Sequence, residues 1–377
     1  MKILAILTYY HPHWTGLTRH AQFLAEGLAR RGNSVSVLAV RHHPDLPSEE
    51  LLNGVQVLRV PAIGTFSRGM IAPSFVLAAA RLIRQHDVIQ IHTPLPEAPI
   101  VALLCRLLGR PLLMSHHGDI VLPTGAPNRS IEIAAYALLS LAARMATRVT
   151  SYTSDYAADS RMLRGLGAKL VCILPPVTEL PSIPASEHSM RTELGLSGRR
   201  IIGFAGRWVW EKGFDTLLEA LPSLLRTHPD VQLVLAGMQP HYENFLERCR
   251  PAIQRVGDRL TFLGLIRERW RMAAFYRLCD VFVLPSRSDM FALVQVEALL
   301  CGAPLVATDI PGARVVVRET GAGLLVPPGN PEALANGIRS VLDRPQDYRP
   351  DPAVIRRIFD PKCSLDRYES LLAEIAR

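Results

Sequence analysis

Along the first forty residues the spacing of apolar positions changes twice. "KILAILTYY" is a short β-rich run and "HPHWTGLTR" is polar and turn-prone. "HAQFLAEGLARRG" then repeats apolar residues at helical spacing through Phe23, Leu24, Gly27 and Leu28, and "NSVSVLAV" returns to strand character. The same strand, loop, helix, strand order comes back near residue 200 as "RIIGFAG", "RWVWEKG", "FDTLLEALPSLLRTH" and "VQLVLAG". Each unit opens a half-chain of alternating strands and helices, which predicts two doubly wound α/β domains. Between them, "ILPPVTELPSIPASEHSMRTELGLSGRR" is crowded with proline and loses all period. The expected organisation is an N-terminal domain over 1–178, a linker over 179–198 and a C-terminal domain over 199–356, with a helix at about 357–377 returning to the first domain. Ligands of such folds bind at the carboxyl ends of the strands, so two domains facing across a cleft would hold the ligand between them.

Composition narrows the class. The 377 residues exceed what one core usually serves, and 49% hydrophobic with 20% charged residues describes an ordinary globular chain. Six cysteines without a CxxC pair suit reduced thiols in a cytoplasmic protein rather than a disulfide framework or zinc site. "ILAIL" is too short for a signal peptide, and no apolar run reaches the ~18–20 residues of a membrane span. The net charge of +8 is almost entirely arginine, with lysine only at Lys2, Lys169, Lys212 and Lys362. A basic surplus suits an anionic ligand, an anionic membrane surface or nucleic acid. With no zinc-finger spacing, helix-turn-helix signature or RNA-binding aromatic motif, nucleic acid is not expected. Neither repeat carries GxGxxG, nor does an acid follow the first one to read a ribose, which argues against a dinucleotide-dependent dehydrogenase.

Two segments of the second half carry candidate chemistry. After "IIGFAG" come Gly206, Arg207, Glu211, Lys212 and Gly213, then a helix from about Phe214. Glycine admits close backbone approach, while the arginine fork and the lysine point charge are the two ways of gripping phosphate oxygens. Taken alone, the same residues also describe a solvated strand-to-helix loop. The second segment, "SRSDMFALVQVE", holds two acids, Asp289 and Glu297, eight residues apart. Asp289 falls at the mouth of the helix-like "ALVQVEALLCG", where an N-cap is wanted, and the free N–H groups near Met290, Phe291 and Ala292 would favour an anion. Glu297 would then lie roughly 12 Å further along the axis. One acid could meet each end of an elongated ligand; equally, Asp289 could only cap and Glu297 only face solvent.

From "FAGRWVWEKGFDTLLEAL" through "FYRLCDVFVLPSRSDMFALVQVEALLCGAPLVATDIPG" to "TGAGLLVPPGNPEALANGI", nearly the whole second half resembles the donor domain of the GT-B retaining glycosyltransferases of family 4. The resemblance implies the GT-B architecture: two Rossmann-like doubly wound domains, needing no metal and no cofactor. Its co-substrate is a nucleotide-diphosphate sugar, of UDP or GDP type. Gly206, Arg207 and Lys212 are implied as grips on the diphosphate, Glu297 on the ribose, and Asp289 on hydroxyls of the transferred sugar. Backbone amides at Met290, Phe291, Ala292 and Leu293 are implied beside sugar and phosphate, and "LTFLGLIRER", with Leu265, beside the base. The family usually has glutamate in place of Asp289 and glycine in place of Ala292, and a ~1 Å displacement of a contact can change rates ~100-fold.

In the first half, "WTGLTRHAQFLAEGLARRGNSVSVL" resembles the family's glycine loop and helix, with Thr15-Gly16 in place of Gly-Gly. Only Gly16 carries over, as a backbone contact near the transferred phosphate or sugar. In "PLLMSHHGDI" the second histidine, His117, aligns with the family's active-site histidine, implied here to position and polarise rather than to form a covalent bond. His11, His13 and His92 are candidates for the border of an acceptor pocket, as is Asp119. His116, His117 and Asp119 do not suggest a metal, because adjacent strand residues point to opposite faces and no DxD triplet occurs. "SIEIAAYALLSLAARMATR" and "SFVLAAARLIR" have apolar faces that fit either buried helices or peripheral contact with an anionic membrane. The expected function is retaining transfer of a hexose-type sugar to a hydroxyl acceptor. The alternatives are a sugar-nucleotide epimerase of GT-B shape, a phosphorylase, and a degenerate binding module.

Overall fold

A computed structural model describes residues 1–377 apart from 67–68, 122–125, 182, 184–185 and 240–243. The chain divides into two compact units, Met1–Pro176 with Pro361–Arg377, and Val177–Asp360.

The first unit is built on β1 (Lys2–Ile6), β2 (Ser34–Arg41), β3 (Glu49–Leu52), β4 (Val55–Pro61), β5 (Gly64–Phe66), β6 (Gly69–Ile71), β7 (Val88–Thr93), β8 (Leu112–His116), β9 (Arg148–Ser151) and β10 (Leu170–Cys172). Eight of them form one sheet in the order β10-β9-β8-β7-β1-β2-β4-β3, parallel except for the edge strand β3; β5 and β6 pair separately. Ile3, Leu4 and Ile6 are fully buried, as expected of a parallel strand covered on both faces. The chain leaves β1 towards β2 and later returns beside β1 as β7, so the strand order reverses there.

Its helices are α1 (Gly16–Arg30), α2 (Ser74–Gln85), α3 (Ala98–Leu107), α4 (Ala126–Met145) and α5 (Ser154–Asp159). The first helix starts before the segment whose apolar period announces it. Thr15 and Thr18 form a capping box, the Thr15 hydroxyl accepting from Thr18 N at 3.2 Å and Thr18 Oγ1 accepting from Thr15 N at 2.8 Å. Gly16 is therefore helical, not part of a preceding loop. The final helix, Pro361–Ile375, packs on α1, and Gly27 makes room for it: a Cβ there would come within 2.9 Å of Leu365. Helices α2, α3 and α4 pack side by side as another layer.

The second unit carries β11 (Arg200–Ala205), β12 (Val231–Ala236), β13 (Leu260–Gly264), β14 (Val281–Leu284), β15 (Leu305–Thr308) and β16 (Gly323–Val326). They form an all-parallel sheet in the order β13-β12-β11-β14-β15-β16. Its strand order reverses between β11 and β14. The helices are α6 (Ser186–Glu193), α7 (Phe214–Thr227), α8 (Phe245–Val256), α9 (Arg269–Leu278), α10 (Leu293–Leu300), α11 (Arg314–Thr320), α12 (Pro331–Asp343) and α13 (Pro352–Ile358). Helix α6 lies within the stretch expected to be a linker. It packs on α9, and Arg191 ties it down by donating to the carbonyls of Leu196 at 3.2 Å, Arg199 at 2.8 Å and Leu278 at 3.4 Å. A polar, proline-flanked segment can thus be ordered by one arginine that satisfies several orphan carbonyls. Among the described residues, no helix is long and apolar enough to cross a membrane.

Candidate active site

In the second unit the loops that follow β11 and β14 meet at the carboxyl edge of the sheet, where the strand order reverses. Gly213 makes the meeting possible. It has φ +66°, and a Cβ there would fall 1.9 Å from the Pro285 carbonyl oxygen, so no side chain fits. Arg287 then clamps the two loops. Its guanidinium donates to the Trp210 carbonyl at 2.7 Å, to both Asp215 oxygens at 2.7 and 3.0 Å and to the Thr216 hydroxyl at 2.9 Å, and lies over the Trp210 ring at 4.9 Å. Its backbone N–H donates to the Glu211 carbonyl at 2.8 Å.

This arrangement brings Lys212 and Asp289 together, with Lys212 Nζ donating to Asp289 Oδ2 at 2.5 Å. Arg207, half-exposed, pairs with Glu211. Gly206 lies under the end of β12: a Cβ on Gly237 would strike its carbonyl oxygen at 1.9 Å. Trp208 packs against Phe214 and Phe262. The lysine ammonium and the arginine guanidinium thus stand beside carboxylates before any anion arrives. An incoming phosphate could recruit both cations, leaving Asp289 to accept from hydroxyls.

The acids are not placed as the sequence spacing implies. Helix α10 starts at Leu293 with Ala292 as its cap residue, so Asp289 is four residues outside the helix and does not cap it. The reason is local. Gly312 presses on this stretch so closely that a Cβ there would lie 2.2 Å from the Met290 carbonyl oxygen and 2.8 Å from that of Asp289. The Asp289 carboxylate is meanwhile committed to Lys212. An axial rise over two helical turns therefore does not describe the distance between the acids. Glu297 does not face solvent either; it is 4% exposed and accepts from Tyr276 Oη at 3.0 Å. Met290, Phe291 and Ala292 have buried side chains, so only their backbones can offer contacts. Leu293 opens α10, and Leu265, just past β13, is exposed.

In the first unit the carboxyl ends of β7, β8 and β9 carry a ring cluster. His117 shares one hydrogen bond with His92 (Nε2 to Nδ1, 2.9 Å) and another with Tyr152 (Nδ1 to Oη, 2.5 Å). His20 of α1 lies edge-on to His117 at 4.9 Å, and Tyr368 of the final helix lies 5.5 Å from His20. Burial, then His20, His92 and His116, lowers the His117 pKa well below the ordinary range, so its ring is neutral. Burial likewise brings His20 and His92 down to about 3. His116 turns to other partners, Thr93 Oγ1 at 3.2 Å and Asp119 Oδ1 at 3.1 Å. Burial works against the Asp119 charge, but hydrogen bonds from His116, Ser160 and Tyr156 hold its carboxyl below the usual value. His92 is 1% exposed, so it bears on His117 rather than on a surface an acceptor could reach. His11 gives its carbonyl to Arg59 at 2.8 Å, and Gly16 is the first residue of α1. Among the described residues no group of His, Cys, Asp or Glu could hold a metal ion.

Sequence reasoning missed Arg287, Tyr276, Gly312, His20 and Tyr152. Only Arg287 left a trace, as a cation three residues past a strand end and two residues before Asp289. The others act through contacts between distant segments.

Two doubly wound units, each with polar residues gathered at its strand ends, fit the GT-B class of glycosyltransferases. The family model "Glycosyl transferases group 1" matches residues 187–352, and "Glycosyl transferase 4-like domain" matches residues 15–176. The chain is 30% identical over 366 residues to a D-inositol 3-phosphate glycosyltransferase of Catenulispora acidiphila, covering 88% of this chain and 83% of the relative. It is 27% identical over 370 residues to a glycogen synthase of Mycobacterium tuberculosis, covering 92% and 87%. The solved structure of HepE from Anabaena in complex with UDP and glucose superposes with a TM-score of 0.77 at 22% identity, covering 99% of each chain. The chain therefore belongs to the GT-B glycosyltransferases of the family-4 type, and it is a glycosyltransferase.

Proposed function

We propose that the protein moves a hexose-type sugar from a UDP- or GDP-sugar to a hydroxyl acceptor, with retention at the anomeric carbon and without a metal. The observation that carries this reading is the Lys212–Asp289 pair at the reversal point of the second sheet. The crystallised relative's complex with UDP and glucose supports a uridine donor. Lys212 and Arg207 take the diphosphate, Asp289 the sugar hydroxyls and Glu297, steadied by Tyr276, the ribose. As the glycosidic bond stretches, negative charge gathers on the leaving diphosphate while the sugar becomes oxocarbenium-like. Cations already aimed at that phosphate bind the transition state more tightly than the ground state. A charge-assisted hydrogen bond contributes about 1.5–3 kcal/mol, or about 10- to 150-fold in rate. Attack from the face of departure gives retention with no covalent protein intermediate. A hydrolysis and binding screen against uridine, guanosine, adenosine and thymidine diphosphate sugars tests this directly. Failure to bind any of them would end the proposal.

Ile131, Ile133, Leu138 and Leu141 of α4 are each at least 42% exposed, and Arg106 and Arg144 are exposed on α3 and α4. Apolar side chains beside arginines favour peripheral contact with an anionic membrane. Co-sedimentation with phosphatidylglycerol vesicles but not with phosphatidylcholine vesicles is the expected result; equal recovery with both would rule it out.

A further inference from the structure

The rings at the ends of β7, β8 and β9 stand on a second polar layer. Alternate residues of a strand share a face, so Gln90 lies one step below His92, Ser115 below His117 and Thr150 below Tyr152. The lower three are joined, Ser115 Oγ accepting from Gln90 Nε2 at 2.8 Å and from Thr150 Oγ1 at 3.0 Å. A polar layer buried on an interior stretch of parallel sheet is costly unless its groups are paired. Tyr368 of the final helix completes the pairing, through hydrogen bonds with Thr150 and Ser115. All four residues are 1% exposed.

Tyr368 also meets the upper layer. Its ring lies 5.5 Å from that of His20, which in turn lies 4.9 Å from His117 and 5.4 Å from Tyr152. Neither ring nitrogen of His20 has a partner in the protein, so ring packing alone fixes where it sits. Of His20, His92, His117, Tyr152 and Tyr368, only His117 is not buried. The other four are its backing, and Tyr368 is the one supplied by the end of the chain. The final helix is held to the unit by Arg31, which donates to Asp366 at 2.5 Å and Glu369 at 2.7 Å, and by Asn33, which donates to Glu369 at 2.9 Å.

We propose that Tyr368 is a positioning residue for His117. It presses the unbonded His20 ring against His117 and fixes the polar layer below, so the ring cluster is complete only with the last helix docked. This rests on the glycosyl-transfer reading only in giving His117 a part in the reaction. Histidine-ring NMR spectra of the full chain test it, with His20→Phe and His117→Gln identifying the two resonances. Tyr368→Phe keeps the ring and loses the hydroxyl, and Thr150→Val removes the same hydrogen bond from the sheet side. Each is expected to move both resonances and to lower kcat about tenfold, with donor KM within about twofold of wild type. Glu374→Gln releases the same helix from Arg148 at its exposed end and should leave resonances and kcat as in wild type. An unmoved His117 resonance in a folded variant overturns the proposal, as does unaltered kcat or an equal effect in Glu374→Gln. Failure of both variants to fold would make Tyr368 a fold contact and overturn it as well. Binding and transfer of UDP-sugars by the wild type report separately on the donor reading. If the wild type transfers none, the ring spectra still decide whether Tyr368 sets His117.

Discussion

Lys212 and Asp289 are 77 residues apart in the chain, and the lysine ammonium donates to the aspartate carboxylate at 2.5 Å. One residue follows a strand and the other precedes a helix, so only the packing of the β11 and β14 loops makes them neighbours. Lys212→Ala should lower donor kcat/KM by about 10- to 150-fold, the worth of one charge-assisted hydrogen bond. Initial rates with the best donor measure this. Unchanged affinity and rate would remove Lys212 from the site.

Arg287 should matter without touching the donor. It makes four side-chain hydrogen bonds from the β14 loop, one to the β11 loop and three to the first turn of α7, two of these to Asp215 in a fork that a lysine cannot reproduce. Arg287→Ala is expected to cost about 1–3 kcal/mol of stability and to raise donor KM more than it lowers kcat. Arg287→Lys should recover part of the stability and little of the KM. Because the guanidinium covers Trp210, loss of the clamp also predicts a shifted tryptophan emission that donor binding partly restores. An unaltered KM in a destabilised variant would reduce Arg287 to a fold contact.

Asp289→Glu tests the length of the first acid. The aspartate reaches Lys212 with one methylene fewer than the glutamate usual in the family, and a ~1 Å change at a reacting centre can shift rates ~100-fold. The ratio of kcat/KM values among different UDP-sugars is expected to change in the variant. Identical ratios would place the sugar hydroxyls away from residue 289.

The repeated strand–helix plan was legible because burial on both faces forces continuous apolar strands, and helices betray themselves by period. "RIIGFAG" and "FDTLLEALPSLLRTH" became β11 and α7, with α7 starting at Phe214 as the pattern indicated. The start of α1 was harder, since its capping box uses two threonines where glutamate or glutamine usually answers the cap. The start of α10 was misjudged for a different reason. An aspartate before a helical period reads as a cap, but Gly312 and Lys212, from other parts of the sheet edge, fix residues 289–292 in another conformation. The histidine cluster was half legible. His92 and His117 end strands and invite attention, whereas His20 sits inside an amphipathic helix and looks like any other core position.

That cluster should also set the acid limit of the fold. His20 and His92 are 2% and 1% exposed, and burial depresses both from an unfolded value near 6.5 to about 3. In the pH window between those values the unfolded chain takes up protons that the folded chain refuses. Their contribution to stability is therefore complete above 6.5 and is lost progressively as the pH falls towards 3. At pH 5 each neutral ring should cost on the order of 2 kcal/mol relative to pH 8. Both ring nitrogens of His20 lack a partner in the protein, so a non-titrating ring can replace it without orphaning a neighbour. His20→Phe should match wild type in urea unfolding at pH 8 and lose less stability than wild type at pH 5, by about the share of one histidine. A wild type and a variant that weaken in parallel between those two values would show that His20 is not kept neutral by the fold.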